Sequence, residues 1–153
     1  MAGHLPKDQS EFLKIEGAKI AIISSSWHWD IVLEMTNTCI AELKRLEAKS
    51  IETHKLPGSL ELALTAQILF EQKPELDAVI AFGVVLKGGT THNDSVLQHV
   101  NHGFSQVSLQ YSKPIINEVI GVDKIEDAKI RASSKGIEAA YALSEFINWQ
   151  KSI

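Results

Sequence analysis

Apolar positions alternate along this chain between two rhythms. Residues Lys19 to Ser25 form a short continuous run of strand type, after which Val32, Leu33, Thr36, Ile40, Leu43 and Leu46 recur at helical spacing across Trp29 to Lys49. Ser50 to Leu56 reads as a second, weaker strand ending at Pro57-Gly58. Glu61 to Glu71 then resumes a helical pattern with Leu62, Ala66 and Leu69 on one face. The clearest strand is Asp77 to Leu86, an apolar run of the sort buried on both faces of a parallel sheet. A helix from Asp94 to Tyr111, a fourth strand opened by Pro114 and running through Val119, and two helical stretches flanking the region around Ser133 and Ser134 complete the order βαβαβαβα. That order predicts a three-layer α/β/α fold, a four-stranded parallel sheet with helices on both faces. In such sheets ligands bind beyond the carboxyl ends of the strands. The segments Ser24 to His28, Pro57 to Glu61 and Lys87 to Asp94 all fall there.

Length and charge narrow the picture. A chain of 153 residues, 44% hydrophobic, suits one core. We read residues 1–16, with Lys7, Asp8, Glu11, Lys14 and Glu16, as a short, partly mobile arm and residues 17–153 as the domain. Fifteen Lys and Arg against nineteen Asp and Glu, with no basic block, argue against nucleic acid as a partner. No stretch approaches the roughly twenty apolar residues of a membrane helix, and the first residues lack a secretory core, so a cytoplasmic protein is expected. The single Cys39 sits in the apolar rhythm of a helix, which excludes an internal disulfide and predicts a buried, inert thiol.

Candidate chemistry gathers at the strand ends. In Gly88-Gly89-Thr90-Thr91 two glycines can turn backbone N–H groups toward one point, with threonine hydroxyls and a helix N-terminus behind them, a natural place for phosphate. The same sequence also serves as an ordinary strand-to-helix turn, and it lacks the ending of a nucleotide-triphosphate loop. His92 follows, able to move protons near neutral pH or simply to cap a helix. His99 and His102 could share a helix face, yet no HExxH pattern or nearby Cys supports a metal, and no metal or cofactor is expected. In Trp27-His28-Trp29 a tryptophan could lie against a heterocycle or both could pack inside. Glu61, at a helix start, could bond sugar hydroxyls or complement the helix dipole. Ser59 is no nucleophile elbow, because Glu61 stands where that motif needs glycine. Arg131 could grip phosphate or stay solvated, with Lys135-Gly136 shortly after it.

Taken together, Ser25-Ser26-Trp27-His28, Pro57-Gly58-Ser59-Leu60-Glu61, the run Gly83 to Asp94, Pro114-Ile115-Ile116 and Arg131-Ala132 resemble lumazine synthase over roughly residues 18 to 148. The run through His92 is similar to the family's G-x-V-I-x-G-x-T-x-H-x-D pattern, and Trp27-His28 resembles a minority branch. The resemblance implies a flavodoxin-like fold assembling as a ring, with sites shared between neighbouring subunits. It implies condensation of a ribitylamino-pyrimidinedione with a four-carbon sugar phosphate, releasing inorganic phosphate, in riboflavin biosynthesis. Trp27 matches the aromatic that stacks on the pyrimidine ring, and Ser59 and Glu61 match positions holding the ring and ribityl chain. Leu60, Val85, Leu86, Lys87 and Asn117 join the substrate-binding set. Gly89 and Thr90 match the phosphate loop, His92 the proton-transfer histidine, and Arg131 and Lys135 the phosphate-binding cations. Asn93 and Asn117 stand where the family usually has aromatics, and the segment from Arg131 to Lys135-Gly136 is shorter than the common pattern. Two rival readings keep the fold without the reaction: a non-catalytic flavin or lumazine carrier, and an oligomeric scaffold.

Overall fold

The computed structural model describes residues 5, 6, 8–88 and 91–153. Four strands, β1 (Lys19–Ser25), β2 (Ser50–Leu56), β3 (Ala78–Leu86) and β4 (Ile115–Val122), alternate with α1 (Trp29–Arg45), α2 (Leu62–Gln72), α3 (His92–Tyr111) and α4 (Ile125–Lys151). All pairings are parallel, and the sheet order is β2-β1-β3-β4. The three-layer α/β/α expectation therefore holds.

The period-two alternation of the strands builds both faces. Ile20 and Ile22 of β1 with Ile80 and Phe82 of β3 point toward α1 and α4, where they meet Val32, Met35, Cys39, Ala132, Ala139 and Leu143. Ala21, Ile23, Val79 and Ala81 point the other way, onto Leu62, Ala66, Val100 and Phe104 of α2 and α3. Continuous apolar runs in β1 and β3 thus mark the two strands covered on both faces. Cys39 is buried, and burial pushes its thiol pKa far up, with Glu118 and Glu42 adding to the shift.

Four differences from the sequence reading exceed a single residue. Helix α1 stops at Arg45 rather than Lys49, because Glu47 takes a left-handed conformation with φ 66° and turns the chain toward β2. Helix α3 begins at His92, two residues early, since Thr91 already has helical angles of φ −70° and ψ −11°. Strand β4 runs on to Val122, paired along its length with β3. The two expected terminal helices are one helix of 27 residues, α4. Ser133 and Ser134 do not break it, and Ser134 Oγ donates to the Arg131 carbonyl at 3.0 Å within the helix.

Residues 8–16 are tied to the body. Phe12 and Ile15 are buried in the α1/α4 face, Phe12 packs on Tyr141 with ring centroids 4.9 Å apart, and the Ile15 amide donates to the Leu46 carbonyl at 2.8 Å. Among the described residues no helix is long and apolar enough to cross a membrane.

Candidate active site

Strand order reverses between β1 and β3, and a cleft of about 670 Å³ opens beyond their carboxyl ends. Its walls come from three connections. After β1, Trp27 and His28 contribute. After β2 come Pro57, Gly58, Ser59, Leu60 and Glu61. Val84, Val85, Leu86 and Gly88 follow from β3, and His92, Asn93 and Val96 from α3.

The first two walls are locked together by Ser26, whose amide donates to the Leu56 carbonyl at 2.9 Å and whose Oγ donates to the Pro57 carbonyl at 2.8 Å. His28 then turns the chain in a left-handed conformation (φ 55°), unusual for a side-chain-bearing residue, and its carbonyl accepts from Ile31 and Val32 to start α1. This turn leaves Trp27 projecting outward, 69% exposed, whereas Trp29 packs on the core under Lys55, whose Nζ lies 4.0 Å from the ring centroid. Of these two, Trp27 is the one free to meet a ligand.

Glu61 closes a short 3-10 turn, Ser59–Glu61, and caps α2. Its side chain makes no capping hydrogen bond. Instead the carboxylate lies beside Gly58, where a Cβ would come 3.1 Å from Glu61 Oε2 and 3.6 Å from Trp27 Nε1. Gly58 thus lets an acceptor and an aromatic face converge on one side of the cleft. On the other side His92 opens α3, exposed, with Val96 one turn behind it. The Asn93 side-chain amide donates to the Leu86 carbonyl and holds the helix start against the end of β3.

The cleft therefore gathers Trp27, Ser59, Leu60, Glu61, Val85, Leu86 and His92 from the expected set. Gly89 and Thr90 lie outside the described residues. Lys87 is exposed, with its stem crossing Gly121 of β4, and does not line the cleft. Asn117 lies on the edge strand β4, bonded to Asn101 Oδ1 of α3 at 2.7 Å, and Arg131 is exposed on α4; neither borders this chain's own cleft.

Lys135 does not border the cleft. It is buried beneath α4, with Nζ 2.9 Å from Glu138 Oε2 and 3.6 Å from Glu118 Oε2, in an internal ion-pair cluster. The spacing Ala128, Ala132, Lys135, Ala139, Leu143 places it on the inward stripe of one continuous helix. The expected set of site residues did not include His28, Val84 or Val96, which also line the cleft. Val96 was recoverable from its place one helical turn after His92.

A sequence model of the 6,7-dimethyl-8-ribityllumazine synthase family matches residues 17–151. The chain belongs to that family. Among its relatives, the 6,7-dimethyl-8-ribityllumazine synthase of Leptothrix cholodnii is 34% identical over 145 residues, covering 92% of this chain and 94% of the relative. The proteins of the same name from Cupriavidus necator and Cupriavidus pinatubonensis are 33% and 32% identical, each over 87% of this chain and 81% and 80% of their own lengths. The matched span contains every described wall of the cleft, and these comparisons lend no support to a non-catalytic carrier.

Proposed function

We propose that this chain condenses 5-amino-6-(D-ribitylamino)uracil with 3,4-dihydroxy-2-butanone 4-phosphate to give 6,7-dimethyl-8-ribityllumazine, with release of phosphate and water, in the cytoplasmic synthesis of riboflavin. The observation that carries this reading is the convergence of exposed Trp27, the uncommitted Glu61 carboxylate and His92 around one cleft, in a chain related to synthases of that name.

The chemistry asks for two substrates held together and for protons moved between them. The primary amine of the pyrimidinedione attacks the ketone and water leaves, elimination expels phosphate, and the second amine closes the ring with loss of another water. Trp27 stacks on the heterocycle, and Glu61 accepts from ribityl hydroxyls across the gap that Gly58 leaves. His92 relays protons at the reacting carbon, and the loop carrying Gly89 and Thr90 receives the phosphate. Orientation of this kind can supply about 7–11 kcal/mol of the barrier. Arg131 and Asn117, outside their own cleft, serve the cleft of an adjacent copy, which makes a ring of subunits the working unit.

The purified protein given both substrates should generate lumazine absorbance, undiminished by chelator. His92→Ala should lower turnover by about 10²–10⁴-fold while phosphate binding persists. Arg131→Ala should instead weaken the sugar phosphate and inorganic phosphate first. Tight ligand binding without product at any substrate level would replace this reading with the carrier.

A further inference from the structure

Among the described residues three that carry side chains have positive φ: His28, Glu47 and Ser112. Glu47 and Ser112 follow α1 and α3, where a left-handed residue is an ordinary helix stop. His28 stands at the other end, as the N-cap of α1, a position that normally takes extended angles and a capping side chain. It has neither: φ is 55°, ψ is 48°, and the imidazole makes no capping hydrogen bond. His54, by contrast, pairs its ring with Glu52 Oε1 at 2.8 Å. The turn at His28 is fixed by backbone, the Ile31 and Val32 amides donating to its carbonyl. Glycine or asparagine would take this conformation at lower cost, so nothing in the local structure asks for histidine. Strained residues held in place by their surroundings cluster at functional walls. His28 lines the cleft, half-buried, directly after Trp27.

We propose that His28 is a second proton-transferring residue of the reaction, serving the ribitylamino nitrogen from the Trp27 wall while His92 works from α3. This assignment rests on the condensation reading of the cleft. Trp27 holds the heterocycle and Glu61 the ribityl hydroxyls, and the ribitylamino nitrogen joins those two parts, beside the residue that follows Trp27. At ring closure this nitrogen attacks the remaining carbonyl carbon. An N–C bond forms, the C=O π pair moves to oxygen, the N–H proton passes to the imidazole, and the imidazolium hands that proton to the oxygen. The histidine ends the step unchanged, and the carbinolamine then loses water. The ionisable groups around His28 are Asp30 in the first turn of α1, Lys55 over Trp29 and, in the cleft walls, Glu61 and His92. Both relays start from a neutral imidazole, so both fail as the rings protonate.

The test measures single-turnover rates of lumazine formation by the full chain and by its His28→Asn and His28→Gly variants, over roughly pH 5 to 8. Thermal unfolding of the free proteins accompanies it. Both replacements accept the left-handed turn, so the melting temperature should hold or rise. The rate should fall about 10²-fold, the low end for acid–base assistance, while the KM for the pyrimidinedione changes by less than about 3-fold. On the acid side the logarithm of the rate should fall with a slope of about two in wild type and about one in His28→Asn, because one of two titrating relays is gone. Free imidazole should restore rate to His28→Gly. Rates within about 2-fold of wild type in both variants, a loss of rate with the acid slope unchanged, or a lowered melting temperature in both, revealing an internal partner for the ring, each overturns the proposal. Wild type that makes no lumazine takes the condensation reading down with it, whereas active wild type indifferent to His28 removes this assignment alone.

Discussion

Glu118 and Lys135 show how the inward stripe of a helix sets the surroundings of a charged side chain. A lysine followed by glycine near a candidate phosphate ligand suggested an anion contact, yet the apolar stripe on α4 carries Lys135 inward, where Glu118 and Glu138 surround it. Burial raises the Glu118 carboxyl above its ordinary value of 4.5, a shift that Lys135 opposes and Glu138 adds to. The folded chain then holds a proton at pH values where the unfolded chain has released it, so the unfolding free energy falls as pH rises through that window. This contribution is fully favourable below the ordinary carboxylate range and is gone above the folded value. Wild type should therefore gain stability when acidified from neutral toward the ordinary carboxylate range, and Glu118→Gln should flatten that slope. Denaturant midpoints measured in both proteins across pH 4 to 8, a span of about four units, check this, and parallel curves would count against it. Trp27 was legible as a possible stacking residue, but its separation from Trp29 was not, because it depends on the left-handed turn at His28.

At the level of elements, β1 and β2 were readable to the residue, since alternation and the Pro57-Gly58 punctuation both act locally. Helix ends were less readable. Glu47 ends α1 in a left-handed conformation more typical of glycine, and Ser133-Ser134 has the composition of a break while remaining helical. What holds α4 against α1 is close approach at Gly136. A Cβ there would meet the Met35 carbonyl oxygen, and would come 2.9 Å from Thr38 Cβ and 3.0 Å from the Cys39 amide nitrogen. Backbone atoms cannot swing aside as a side-chain tip can. Helix propensity alone would make Gly136→Ala stabilising by about 1 kcal/mol. The packing argument requires the opposite, a loss of about 1–3 kcal/mol. Chemical denaturation decides between them, and a raised midpoint would refute the close packing.

For the molecule as a whole, the sheet order and the location of the cleft followed from the alternation of strands and helices, but two residues of the expected site lie outside that cleft. Arg131 and Asn117 do not line the cleft that Trp27 and His92 line, and sequence carries no signal of which copy a residue would serve. We therefore expect a pentamer, alone or as a face-to-face pair, with a mass by light scattering of five or ten times the 16.9 kDa protomer. A stable monomer would refute the shared site. A megadalton particle would refute the five- or ten-subunit assembly. The tether of residues 8–16 bears on the order in which each protomer is made. Asn148 Nδ2 donates to the Lys14 carbonyl at 2.9 Å, across 134 positions of sequence, and Phe12 rests on Tyr141 of the same last helix. Contacts so distant in sequence close late, after the costlier loops between them are in place. The stretch 8–16 is thus among the last segments to be fastened, and α4 supplies its most distant contacts.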